Sequence, residues 1–246
     1  MGDMITQEYP ATIEEALTVP GGACFPEVKR ETHITDKELE GKITRYVALD
    51  YGLDMLSAHW IMVDTKGNAQ VYREYDAPDK TIGAACDILR SMSGDEKIQY
   101  WLAPSDLWSR SQETGKSRAI LFSENGITLT KTSRDFVAGV ASMKEWLKPV
   151  GDKARLTILE GCAPNLYRCL QKIQKDKKRP NVYAKDPHDL THDVDSLRSF
   201  CVWWVRSPEV DYETIETRQH SSILEDIENA SPEDREYLLQ KYGEPV

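Results

Sequence analysis

Long hydrophobic runs are missing from this sequence. Nowhere in its 246 residues does it approach the ~18 consecutive apolar residues that a membrane-spanning helix needs. The opening "MGDMITQEYP" also lacks the apolar stretch of a signal peptide. The expectation is a soluble, non-secreted protein with no membrane partner. Cysteine is sparse. Cys24, Cys86, Cys162, Cys169 and Cys201 make an odd five with no CxxC pair, which argues against a disulfide framework or a cysteine-rich zinc site and predicts reduced thiols. There is no internal repeat and no low-complexity block. A phosphate-cradling GxxxxGKS/T loop is also missing, because "SQETGKS" carries the GKS without a glycine at the right distance upstream. Positive charge is in deficit, with a net of -10, but the deficit is local. Residues 207–246 hold eleven acids against three bases, and residues 1–206 hold thirty against twenty-eight. A nearly neutral body can still present a basic face, so the overall sign does not exclude a nucleic-acid partner.

What is present fills a core. Hydrophobic residues make up 40% of the chain, enough for one large domain or a domain with appendages. Residues 1–40 are poorly periodic and contain the Gly/Pro loop signal "VPGGACFPEV", so they are expected to be a lead-in segment. From Thr44 the signals sharpen. "TRYVALDYG" is a β-rich run, and "SAHWIMVDTKGNAQVYREYDAP" reads as two strands around Lys66-Gly67-Asn68, a hairpin. Apolar residues at helical spacing in "DKTIGAACDILRSM" predict a helix. Strands are expected at "KIQYWLAPSD", "ITLTKTS" and "ARLTILEG". Helices are expected at "SRAILFSENG", "RDFVAGVASMKEWLKP", "NLYRCLQKIQK" and "HDVDSLRSFCVWWVR". The order β-β-β-α-β-α-β-α-β-α-α predicts an α/β fold with a central mixed sheet, one antiparallel hairpin and helices on both faces. Residues 41–206 are the expected domain. Residues 207–246 form an acidic tail in which Ser231, Pro232 and Asp234 mark the start of a short helix and Gly243 its end.

Four residues stand out. Asp50 closes the first core strand and Asp106 lies just past the fourth, and sites in such sheets form outside the carboxyl ends of strands. His192 and Asp195 are three apart, so on a helix they share one face. Three converging carboxylates cannot all stay ionised without a cation. Hard oxygen ligands with little sulfur nearby suit Mg²⁺ or Mn²⁺, and a pair of such ions can clamp a phosphodiester and activate water. Each residue also has a plainer reading. Strand-end aspartates are common turn residues, and an HxxD can be a surface pair near a helix start. His188 and His192 form an HxxxH that could serve zinc, but Pro187 and Asp189 read as a helix start and no soft-ligand cluster accompanies them.

These phrases, in this order, resemble the nuclease domain of the large terminase subunit of tailed bacteriophages, from about Thr6 to Arg206. "TQEYPATIEEAL" resembles the end of that family's ATPase region. "YVALDYGLD" is similar to its first-strand motif, with Asp50 as first metal aspartate, and "YWLAPSDLWSRSQETGKS" to its second acidic motif, with Asp106. "ILFSENGITLTKTSRDFVAGVASMKEWL" matches the stretch that follows. "HDVDSLRSF" resembles the closing HxxDAxRY motif, with His192 and Asp195 completing the site. Here Thr191 precedes the histidine where many relatives have aspartate, and Ser196 and Ser199 replace the usual alanine and tyrosine. The resemblance implies a ribonuclease H-like fold and a two-metal endonuclease, with Asp50, Asp106 and Asp195 as ligands for Mg²⁺ or Mn²⁺. It would cut concatemeric viral DNA in the cytoplasm of the infected bacterial host, with little sequence preference when isolated. It also implies that the chain is the C-terminal half of a longer protein, with Met1-Gly2 a vector remnant. The implied partners are double-stranded DNA, the ATPase domain of the same protein, the portal protein and the small subunit.

A nuclease needs cations for phosphate. Lys131 and Arg134 are favoured because the matching family stretch lies near the cleft. Arg110 and Lys116, which follow Asp106, are further candidates with solvated charge as their plainer reading, and the run "QKIQKDKKRP" reads as solvated charge. Two alternatives stay open: another ribonuclease H-like enzyme of the resolvase or integrase kind, or a non-catalytic module that docks the packaging motor.

Overall fold

The computed structural model describes residues 22–204 apart from Leu53 and Glu113. The QEYP-type phrase, residues 1–21 and the acidic tail with its expected helix lie outside the described residues.

Two long antiparallel pairings build the centre. β2 (Ile43–Tyr51), β3 (Leu56–Asp64) and β4 (Ala69–Ala77) are nine residues each and form a continuous meander. Their β-branched and aromatic residues suit a pleated, buried surface, and all of β3 except Asp64 is buried. Asn68 closes the hairpin by donating from its backbone N–H and side-chain amide to the two oxygens of Asp64, each at 2.8 Å. β5 (Ile98–Ala103) adds in parallel beside β2, and β6 (Leu129–Lys131) beside β5. On the other side β9 (Leu156–Leu159) lies parallel to β4, and β1 (Ile34–Thr35) parallel to β9. The sheet therefore has seven strands in the order β1-β9-β4-β3-β2-β5-β6. β7 (Pro149–Val150) and β8 (Lys153–Ala154) make a separate two-stranded ribbon.

Alternation along β2 divides its side chains. Val47, Leu49 and Tyr51 join a core with Trp60, Ala85, Cys86, Leu89 and Phe122. That face is covered by α2 (Ile82–Ser93) and α3 (Arg118–Glu124), after α1 (Arg30–His33) earlier in the chain. Thr81 and Ser117 cap the two covering helices by accepting from Ala84 and Ile120 N–H; such caps each contribute about 1 kcal/mol. The opposite face carries Tyr46, Ala48 and Asp50. There α6 (Thr191–Trp203) lies on β2 and β3, flanked by α4 (Phe136–Leu147) and α5 (Pro164–Lys172). Because α6 is covered on several sides, eleven of its thirteen residues are buried, polar ones included.

This is the expected mixed α/β sheet with helices on both faces. Part of the expected lead-in packs with it: β1 pairs with β9, Cys24 N–H donates to Ile173 O at 2.9 Å, and His33 Nε2 bonds Leu147 O at 2.8 Å. Residues 22–40 hide this from pattern reading because their contacts are long-range and their elements short. All five cysteines are free thiols. Among the described residues, no helix is long and apolar enough to cross a membrane.

Candidate functional site

Asp50 and Asp106 reach one place because β2 and β5 are adjacent and parallel. Asp50 is the penultimate residue of β2, and Asp106 sits in the 3-10 turn Ser105–Trp108 immediately after β5. The N-terminal part of α6 crosses the same sheet edge and supplies Asp195. All three carboxylates line one cleft of about 290 Å³, together with Arg134, Tyr183, Lys185, His188 and Arg198. The three predicted aspartates are thus brought together, and Arg134 with them. Lys131 is not among the lining residues; its ammonium lies 5.8 Å above the Trp108 ring.

His192 reaches the cleft indirectly. It is 6% exposed, with Nδ1 2.9 Å from Asp50 Oδ2 and Nε2 3.1 Å from Asp54 Oδ2. Both ring nitrogens face carboxylates, so both act best as N–H donors, the state of an imidazolium. The hydrogen bond to Asp50 holds its pKa above the ordinary imidazole value, with burial opposing. Asp50 itself is pushed up, first by burial and then by Asp195 and Asp106, while the bond to His192 pulls it down. A buried carboxylate with two others near it is an electrostatic demand for positive charge.

Asp195 is held from behind. Tyr183 OH donates to its Oδ1 at 2.6 Å, and Arg198 Nε and Nη2 donate to the same oxygen at 3.0 and 2.9 Å. Oδ2 is left for the cleft. Arg198 is backed by the Phe136 ring, 5.2 Å away. Burial and the Asp195 charge drive the Tyr183 phenol well above its usual pKa, so it stays a donor. Asp106 is more open, with Arg118 Nη1 at 3.8 Å.

Sequence reading missed Asp54, Tyr183, Lys185 and Arg198, and noted His188 only as part of an HxxxH with His192. Arg198 was findable, since it stands three residues after Asp195 on one helix face. Asp54 was not, because it reaches back over a turn closed by Gly52 N–H to Met55 O at 2.8 Å. A Cβ on Gly52 would collide with the Asp54 carboxylate, so glycine there permits the fold-back. His188, in the turn before α6, also meets Asp54, with Nε2 3.1 Å from Oδ2. Asp54, His188 and His192 therefore gather as the HxxxH spacing allowed, with a carboxylate from a distant loop.

No family model matches this chain, and no curated protein matches its sequence. Solved structures do match. The large terminase of a thermophilic bacteriophage superposes with TM-score 0.60 at 15% identity, covering 76% of this chain and 45% of that one. The same terminase in complex with ATP-gamma-S gives 0.60 at 16%, covering 74% and 45%. The large terminase nuclease of thermophilic phage G20c with bound magnesium gives 0.50 at 13%, covering 74% of this chain and 96% of that one. The chain thus spans under half the length of the first of these terminases, and nearly all of the G20c nuclease is covered by the match. The fold of this chain is that of phage large terminase nuclease domains, ribonuclease H-like.

Proposed function

We propose that this chain is the nuclease part of a phage DNA-packaging terminase and hydrolyses phosphodiesters with Mg²⁺ or Mn²⁺. The observation that carries the reading is the convergence of Asp50, Asp106 and Asp195, from three separate elements, on one cleft with cations beside them. The donor set fits such ions. It consists of hard carboxylate oxygens, two of which belong to residues whose other oxygen is already held by His192 or by Tyr183 and Arg198. Asp50, Asp106 and Asp195 would hold two ions, which when bound supply charge neutralisation and a nucleophile at neutral pH.

The protein's own groups do the rest. His192 fixes the carboxylate of Asp50, and Tyr183 with Arg198 fixes that of Asp195. Arg134 and Lys185 at the cleft accept phosphate, which positions a duplex without reading its bases; Lys131 extends this surface. Among the described residues no helix-turn-helix or finger module is present to read sequence. Concatemer cutting during head filling follows from this reading, as do its setting in the host cytoplasm and partnership with an ATPase region, portal and small subunit. Residues 1–21 would lead from the ATPase region and 207–246 would form an acidic appendage. The test is plasmid cleavage with the purified chain. Nicking should need Mn²⁺ or Mg²⁺, stop with EDTA, weaken with salt, give no discrete fragments, and vanish in Asp106→Ala. Absent cleavage would favour a docking module, metal-independent cleavage would overturn the metal-ion reading, and a reproducible fragment ladder would favour a site-specific relative.

A further inference from the structure

On the same sheet face, β3, β4 and α6 bring together a second group of ligating side chains that the cleft does not use. His59, Asp76 and Asp193 each offer one ligand atom, and these atoms all lie within 4.8 Å of one another. His59 is 0% and Asp193 5% exposed. The strand register places Glu74 opposite His59 and Asp76 opposite Ser57, and α6 lays Asp193 onto them.

Each of the three residues has one polar atom held and another aimed inward. His59 Nδ1 is 2.9 Å from Ser196 Oγ, whose own proton goes to Ala48 O at 2.9 Å. The serine must therefore accept from Nδ1–H, and a neutral His59 presents its lone pair at Nε2. Asp76 Oδ2 accepts from Asn165 Nδ2 at 3.2 Å, and Asp193 Oδ2 accepts from the Cys169 thiol at 3.4 Å. The other atoms, His59 Nε2, Asp76 Oδ1 and Asp193 Oδ1, are buried with no hydrogen-bond partner among the described residues. Buried polar atoms without partners are costly.

A proton on Nε2 would find ion pairs with the surrounding carboxylates, which pull the His59 pKa up against burial, but no hydrogen bond of normal length. Asp193 Oδ1 is 3.6 Å away and Glu74 Oε2 3.9 Å away, both beyond N–H···O length. A tetrahedral ion with bonds of ~2.0–2.2 Å holds its ligands about 3.4 Å apart, close to the nitrogen–oxygen spacing here. We propose that His59, Asp76 and Asp193 form a closed structural site for a divalent ion of the zinc class, taking one imidazole nitrogen and two carboxylate oxygens. Glu74 stands beside it as a fourth donor, its carboxylate oriented by the Asn165 and Leu166 N–H groups at 3.0 and 3.1 Å. Ser196, Asn165 and Cys169 form the outer shell that aims the ligands. The ion would tie β3 and β4 to α6 one residue beyond His192, fixing the helix start that carries His192 and Asp195.

The experiment counts Zn²⁺ by mass spectrometry in the full chain after equilibrium dialysis, in Asp50→Asn and Asp76→Asn variants, with thermal melts alongside. Asp50→Asn disables the cleft, so the result does not depend on the nuclease reading. The expected outcome is one tightly held ion in Asp50→Asn that Asp76→Asn has lost, with Zn²⁺ raising Tm only in the former. Ser196→Ala should weaken Zn²⁺ binding about 10–100-fold, as loss of outer-shell partners does. His59→Gln gives a second ligand deletion; should it not fold, Asp76→Asn at its half-buried position still decides. Equal Zn²⁺ content and equal Tm response in Asp50→Asn and Asp76→Asn would overturn the proposal. So would the absence of a retained ion in Asp50→Asn, with His59 observed as imidazolium by NMR.

Discussion

Gly139 lies inside α4, far along the chain from every proposed ligand, yet its substitution tests how Asp195 is held. A Cβ placed there would lie 2.9 Å from both Cγ and Cδ of Arg198 and 3.4 Å from Nη1. Arg198 is 9% exposed and pinned between the Phe136 ring, Tyr183 and Asp195, so its stem has little freedom to yield. Alanine would gain about 1 kcal/mol over glycine in a free helix interior. Overpacking a buried contact costs about 1–3 kcal/mol. The net expectation for Gly139→Ala is a loss of about 0–2 kcal/mol, at about 2–4 °C in Tm per kcal/mol for a chain of this size. The sharper effect is on the cleft. Displacing Arg198 strips Asp195 of two charge-assisted hydrogen bonds, and loss of such outer contacts lowers metal affinity about 10–100-fold. Urea unfolding and calorimetric Mn²⁺ titration of the same preparation separate the two effects. A variant that melts higher than wild type and binds Mn²⁺ equally well would refute the reasoning, because Arg198 would then have moved without consequence.

Other outcomes follow from the same geometry. Asp50→Ala should abolish cleavage, and His192→Ala should slow it less, since the imidazole acts through the position of Asp50; equal losses in initial rate would show that His192 does more. In EDTA, the His192–Asp50 pair makes stability pH-dependent. A histidine with raised folded pKa contributes fully below its unfolded value, about 6.5, and loses that contribution as pH rises through the folded value. Burial raises Asp50 in both proteins, and only wild type has the His192 bond that lowers it, so the comparison is read above the range in which Asp50 ionises. Above the unfolded histidine value of about 6.5, the Tm advantage of wild type over His192→Ala should therefore shrink as pH rises through the raised folded value of His192, and a growing advantage there would contradict the assigned hydrogen bonds. Truncation after Arg206 removes eleven acids and three bases. It should strengthen DNA binding at low salt while leaving cleavage in place; loss of folded protein would show that the tail belongs to the core.

The sequence by itself determined the parts whose logic is local. The β-rich run ending at Asp50 and the strand ending near Asp106 announce themselves by composition and alternation, and the three-residue spacing of His192 and Asp195 needs only a helix. The long helices carried periodicity and recognisable stops, so their order was enough for a mixed sheet covered on both faces. Tertiary structure decided whatever depends on residues far apart in the chain. β1 became a strand only because β9 offers it a partner. Asp54 joined His188 and His192 by folding back over Gly52, and Tyr183 met Asp195 across a loop that has no periodic signal. His192 faces Asp50 while its neighbour Asp193 faces His59, because α6 is covered on several sides and successive residues point to different partners. His59, Asp76 and Asp193 lie on three elements and look like unrelated polar positions along the chain. Strand register and the docking of α6 alone bring their ligand atoms within 4.8 Å of one another.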